Sequence, residues 1–260
     1  MLKAGIYLDV ENLVRCGGRS MRFRVIKDLV AAQQATVLRA NAYMARDPMR
    51  EGSDLEYRRR KEEYRFAVRK AGFHLVLKEV QRYRGADGEE VSKANSDLDL
   101  AVDALLQADN LDYILLGSGD GDFIQLVRAL QNRGKRVDLL SFSNTSTELR
   151  RQVDYHFSGY LVPGILPQRE TPARLRGTMH GVNEEKGFAF LSVHTGLSVD
   201  DQRDDIFLHI SEFQSHDGQP VSNQSFAALK TREAVIEFEL KEQADGRFKA
   251  INASEMPDPL

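Results

Sequence analysis

Apolar positions in this chain come as short runs separated by stretches of helical spacing. The runs at 5–8 and 113–116 are brief and flanked by turn formers, a pattern that predicts buried strands of a parallel sheet. Between them, apolar residues at 25, 26, 29 and 30 predict a helix over 23–35, and strand formers follow at 36–45. A helix with a strongly basic exposed face is expected over 55–71, stopped by Gly72, then a strand over 73–80. Residues 81–92 read as a polar hairpin or loop, and a helix is expected from about 96 to 108. After the 113–116 strand come a helix over 123–132 ended by Gly134, a strand over 137–142 and a helix over 146–152. Strands alternating with helices predict an α/β domain with a parallel sheet covered on both faces.

The pattern changes near residue 168. Short alternating strands are expected at 175–179, 187–193, 205–210 and 234–240, with a fifth at 248–251, and no helix of length. That is the signature of a small barrel. The Pro/Gly-punctuated stretch 161–167 reads as a connector. We expect a domain over 1–162, a linker over 163–172 and a second domain over 173–254. Charge follows the same division: 1–168 carries a net +3 and 169–260 a net −6.

At 42% hydrophobic and 29% charged, the 260 residues have the composition of a soluble globular protein. No apolar run approaches a membrane span, and the amino terminus reads as a strand rather than a signal segment. The single cysteine, Cys16, excludes an intramolecular disulfide and a multi-cysteine metal site, and fits a reducing cytoplasm.

The chemistry concentrates at strand ends. Asp9 closes the first predicted strand, with Asn12 one helical turn later. Asp97 opens the helix at 96, while Asp120 and Asp122 follow the strand at 113–116 through a glycine-rich turn. In open α/β sheets the functional crevice lies at these carboxyl ends. Either of the last two carboxylates can serve as a helix cap instead. On the 96–108 helix Asp97 is the better site candidate; Asp103 stays open and Asp99 is expected in solvent. Oxygen ligands of this kind suit Mg²⁺ or Mn²⁺. In the basic helix, Arg58, Arg59, Arg60, Lys61, Arg65 and Arg69 offer phosphate contacts, or else pair with Glu56, Glu62 and Glu63 on a solvated face.

Taken together, the residues around Asp9 and Asn12, the segment from Lys93 through Asp97 to Asp103, and Gly117 to Phe123 followed by Gly134 and Lys135 resemble the NYN (LabA-like) domain. That family belongs to the PIN-like, FEN-like nucleases, and the likeness covers about residues 4–160. The resemblance implies an acidic, metal-dependent ribonuclease site made by Asp9, Asn12, Asp97, Asp120 and Asp122. Its metal ligands would be Asp9, Asp97, Asp120 and Asp122, with Asn12 orienting an acid or a ligand water. Gly121 stands where the family usually has Ser, and Asp154 matches a late, structural Asp.

In the second domain, Gly177, Thr178, Asn183, residues 186–190 and residues 206–211 resemble a cold-shock domain, an OB-type five-stranded barrel that binds single-stranded nucleic acid. By that resemblance Lys186, Phe188, Phe190, Phe207 and His209 would contact RNA. Phe188 and Phe190 share one face, as do Phe207 and His209, but periodicity does not say whether it is the outer one. His180, Gly181 and Val182 stand where the family usually has Lys-Trp-Phe, Ile210 replaces a common Phe, and the loop 194–205 is long and acidic.

The expectation is a cytoplasmic ribonuclease with an RNA-positioning barrel, acting on RNA, single-stranded first, with no membrane and with homo-oligomerisation left open. A catalytically inactive RNA-binding regulator and a phosphatase-type hydrolase on the same scaffold are the alternatives.

Overall fold

The computed structural model describes residues 1–84, 90–93, 96–167, 174–215 and 220–257, with backbone only at 81–84 and 90–93. The turn inside the expected hairpin, Ala94 and Asn95 of the motif before Asp97, and part of the expected linker lie outside the described residues. Two compact units are present, Met1–Ser158 and Gly159–Leu260.

The first unit is built on a six-stranded parallel sheet: β1 (Leu2–Asp9), β2 (Ala35–Arg46), β3 (His74–Glu79), β6 (Tyr113–Gly117), β7 (Arg136–Ser141) and β8 (Tyr155–Ser158). A two-stranded antiparallel ribbon, β4 (Gln81–Arg84) with β5 (Glu90–Lys93), lies between β3 and β6 in sequence. Sheet order is β3-β2-β1-β6-β7-β8. Every residue of β6, and of β1 from Ala4 onward, is buried. Alternate residues of a strand face opposite sides, so both faces of this sheet centre are covered. The covering helices are α1 (Val10–Leu13), α2 (Phe23–Ala32), α3 (Pro48–Ser53), α4 (Leu55–Lys70), α5 (Ser96–Gln107), α6 (Ile124–Asn132) and α7 (Thr147–Gln152).

The chain winds from β1 outward to β2 and β3, then returns to the other side of β1 with β6, β7 and β8. The reversal falls between β1 and β6, paired in parallel from Ala4↔Tyr113 to Leu8↔Gly117. This is the switch point of the sheet, where a crevice opens beyond the carboxyl ends of the two strands. Gly117 is required there: a Cβ would run into Leu8 and stand 3.2 Å from Leu13.

The second unit is a closed barrel of β9 (Leu175–Asn183), β10 (Phe188–His194), β11 (Gln202–His209), β13 (Ile236–Glu242) and β14 (Phe248–Glu255), with the two-residue β12 (Phe213–Gln214) beside β14. Order runs β11-β10-β9-β13-β14, and the pairing Phe207↔Lys249 closes the ring. A nine-residue helix, α8 (Asn223–Thr231), corrects the expectation that this unit has no helix of length. It is capped by Ser222 and puts Phe226 and Leu229 into the barrel core. Among the described residues, no helix is long and apolar enough to cross a membrane.

Candidate active site at the sheet switch point

Asp9 ends β1 and begins α1. Its Oδ1 accepts the Asn12 N–H at 3.1 Å, and its Oδ2 accepts the Ser118 hydroxyl at 3.2 Å. The Ser118 oxygen in turn accepts the Asp120 N–H at 3.2 Å. One small side chain therefore ties the end of β1 to the turn that carries the next carboxylate. Asn12 makes a second tie, its Oδ1 accepting the Gly119 N–H at 2.8 Å. Asp9, Asn12 and Ser118 are all buried.

Burial pushes the Asp9 carboxyl up to about 6. The Asn12 N–H opposes that rise, repulsion from Asp97 adds to it, Ser118 opposes it and Asp120 adds a little more. The pattern identifies neighbours as well as acidity. Asp97 and Asp120, from two distant segments, both act on Asp9. Asp97 sits half-buried in the first turn of α5. Asp120 is half-buried, and its Oδ1 accepts the Asp122 N–H at 3.0 Å, so it caps the short turn Gly121–Phe123. Asp122 is exposed beside it.

The neighbouring acids have other work. Asp103 accepts the Tyr43 hydroxyl at 2.8 Å. Asp99 takes the Lys78 ammonium at 2.9 Å rather than standing in solvent as expected. Asp154 accepts the Val137 N–H at 2.7 Å at the opposite, amino end of β7, a structural role in keeping with the sequence reading.

Among the described residues, no three His, Cys, Asp or Glu side chains converge into a ready-made metal cage. What the crevice offers is a small set of all-oxygen donors with a like-charge strain on Asp9. That donor chemistry fits an ion of the Mg²⁺ class, which keeps much of its water and is held by one or two carboxylates plus substrate phosphate.

An open cleft of about 620 Å³ adjoins these acids, lined by Asn12, Arg15, Cys16, Gly119, Asp120, Gly121 and residues 144–147. Cys16 is buried in its wall. Sequence reasoning did not single out Ser118, Arg15 or Ser146; Ser118 between two glycines was the one local signal available.

The basic helix divides. Arg65 is only 5% exposed, and its guanidinium grips the buried Glu51 through two hydrogen bonds. It holds α3 against α4 and presents nothing to RNA, so we drop it as a contact. Arg58 and Arg59 are exposed but engage Glu62 and Glu63 at 2.9 and 3.0 Å.

In the barrel, Ala189, Leu191, Ile206 and Leu208 are fully buried, which turns the alternate residues outward. Phe190 lies opposite Phe207, and Phe188 opposite His209. The three phenyl rings lie 5.6–5.9 Å apart. His180 adds a ring 6.3 Å from Phe190. Exposed Lys186 precedes this face, its N–H held by Asn183 at 2.9 Å.

No curated protein matches the chain. Among solved structures, a protein of unknown function from Vibrio parahaemolyticus is 28% identical over 60% of this chain and 92% of its own, with a TM-score of 0.48. The NYN domain matches residues 3–161, the span that carries the β1–β6 crevice and its acids. The chain belongs to the NYN domain family, of the PIN-like nuclease group.

Proposed function

We propose that this protein is a divalent-metal-dependent ribonuclease whose barrel, a cold-shock-like module, holds single-stranded RNA for the NYN domain. One observation carries the reading: Asp9 and Asp120, brought to the sheet switch point by β1 and β6, are locked together through Ser118 with Asp97 in the same field. A structural cap needs one carboxylate. Three from distant segments, one of them held buried at a cost, are the outlay of a site that handles positive charge or phosphate.

In this reading Asp9, Asp97 and Asp120 hold Mg²⁺ or Mn²⁺, and Asn12 fixes the turn that carries Asp120. When bound, such an ion supplies positive charge against the oxygens of the transition state and acidifies the attacking water. Hydrolysis adds a water oxygen to phosphorus as one P–O ester bond breaks. Asp122, exposed at the mouth, accepts the proton that water gives up, and the departing ribose oxygen takes one from solvent. Arg58 and Arg59 contribute phosphate attraction only where RNA displaces their glutamate partners, because exposed pairs of this kind are weak. Bases stack on Phe188, Phe190 and Phe207, with Lys186 and His209 beside them.

The test incubates labelled single-stranded RNA with the full chain in Mn²⁺, Mg²⁺ or chelator, beside an Asp97→Asn/Asp120→Asn double variant. Metal-dependent cleavage lost in the variant is the expected result. Intact RNA with binding preserved selects the non-catalytic regulator, and turnover of a phosphomonoester alone selects the phosphatase.

A further inference from the structure

The cleft beside Asp120 holds a group of donors that the acidic centre does not use. Arg15 lies in a π-type stretch, Val14–Gly18, that follows α1 and is kinked at Gly17, where φ is 112°. The Arg15 side chain is exposed and lines the cleft. Whereas Arg58, Arg59 and Arg65 each hold a glutamate, Arg15 has no ion-pair partner among the described residues.

The loop after β7 also lines the cleft. Asn144 sits in the left-handed region at φ 55° and turns this loop into the cleft. The Ser146 oxygen accepts the Leu149 N–H at 3.3 Å, which leaves its own hydrogen to donate. Thr147 follows on the same wall.

These loops are stitched together. Ser143 donates both its N–H and its hydroxyl to the Cys16 carbonyl, at 3.0 and 2.7 Å. The Ser146 N–H donates to the Gly119 carbonyl at 2.9 Å. The loops after β1, β6 and β7 are therefore held together around the cleft, which Asp120 and these donors line in common. A guanidinium, a carboxamide and two hydroxyls around an open polar cleft match the oxygens of a phosphate.

We propose that Arg15, Asn144, Ser146 and Thr147 form an anion subsite that takes the backbone phosphate neighbouring the one being cleaved; this rests on the ribonuclease reading above. The subsite gives the strand a second fixed point, so that its scissile phosphate is set against Asp120. Arg15 is a positioning residue in this scheme, acting on the substrate away from the reacting atoms.

The test measures fluorescence anisotropy of a labelled ten-nucleotide single-stranded RNA in chelator, over a salt series, for wild type, Arg15→Ala and Arg15→Lys. Each is made also in a Phe190→Ala background, so that RNA held by the barrel does not mask the change. Arg15→Ala is expected to weaken binding about tenfold and to flatten the slope of log affinity against log salt by about 0.7, the loss of one phosphate contact. Arg15→Lys keeps the slope and recovers part of the affinity. In Mn²⁺, Arg15→Ala raises KM more than it lowers kcat. Wild-type affinity and slope in Arg15→Ala, in both backgrounds, overturn the subsite. The two readings fail distinguishably: a wild type that binds RNA through Arg15 but cuts none overturns the nuclease reading and with it the subsite's place beside a scissile phosphate, leaving a phosphate contact at Arg15, whereas cleavage and binding indifferent to Arg15 overturn the subsite and keep the nuclease.

Discussion

The Asn12 side-chain oxygen receives the backbone N–H of Gly119 at 2.8 Å, across 107 residues of sequence. Both groups are buried, so replacing Asn12 with Ala strands a donor away from water. Asn12→Ala is expected to cost about 1–3 kcal/mol in urea unfolding and to lower cleavage, because the turn carrying Asp120 loses an anchor. An unchanged midpoint would show that the turn holds its shape unaided.

Asp9 gives a pH signature. Its carboxyl is raised from 3.8 to about 6, so the charged form is disfavoured by folding. The penalty is present in full well above pH 6, fades as pH falls from 6 towards 3.8, and vanishes below that, where folded and unfolded states are both protonated. Asp9→Asn removes it. In chelator the variant should melt higher than wild type near pH 8, by roughly 1–3 kcal/mol of stability, with the gap closing towards pH 4.5. Adding Mg²⁺ should narrow the gap at pH 8 by stabilising wild type. A gap that is flat with pH contradicts the assignment.

Asp120→Asn keeps an acceptor for the Asp122 N–H, and Asp97→Asn keeps the shape of the first turn of α5. Each is expected to fold with a Tm within a few degrees of wild type and to cut RNA at least about 100-fold more slowly, the scale of a lost transition-state interaction. Asp138 is the control. Buried on β7 and bound to Arg136 at 2.6 and 3.0 Å, it is a carboxylate of the same sheet outside the crevice. Asp138→Ala should lower stability while the residual folded protein keeps its specific activity.

The basic helix should split in a stability assay. Arg65→Ala removes both guanidinium hydrogen bonds from buried Glu51, which keeps Arg46 at 3.6 Å, and is expected to cost about 2–4 kcal/mol. Arg58→Ala and Arg59→Ala break exposed pairs and should change stability by less than about 0.5 kcal/mol. Equal effects across the three would remove the distinction drawn from burial.

Phe190 is 38% exposed, so Phe190→Ala should leave the barrel folded. If bases stack there, affinity for single-stranded RNA falls by roughly 1–3 kcal/mol. Unchanged affinity marks the barrel as a structural or protein-binding module.

Much of this could be read before any coordinates. The apolar runs of β1 and β6, and the carboxylates at their ends, are local patterns. Strand order is not local, so the sequence placed Asp9 and Asp120 at the same carboxyl-end crevice without showing that their strands are neighbours. The helix Asn223–Thr231 escaped because only Phe226 and Leu229 anchor it, too few to show a period. The strand Tyr155–Ser158 is four residues at a sheet edge, below the length at which alternation is visible. In a run of arginines nothing marks Arg65 as the inward one; its partner Glu51 lies 14 residues away on another helix. The alternation of Phe188 and Phe190 set them on one face, and only the burial of Ala189 and Leu191 between and beyond them decided which.

The β1–β6 pairing has a consequence during synthesis. Asp9 leaves the ribosome more than a hundred residues before Ser118 and Asp120, the groups it is locked to. A nascent chain that has grown only through β2 and β3 carries the first acid with none of its neighbours. At roughly 5–20 residues per second, several seconds of translation pass in that state. On the ribonuclease reading, the acidic centre is therefore assembled late, only when the sixth strand docks beside the first.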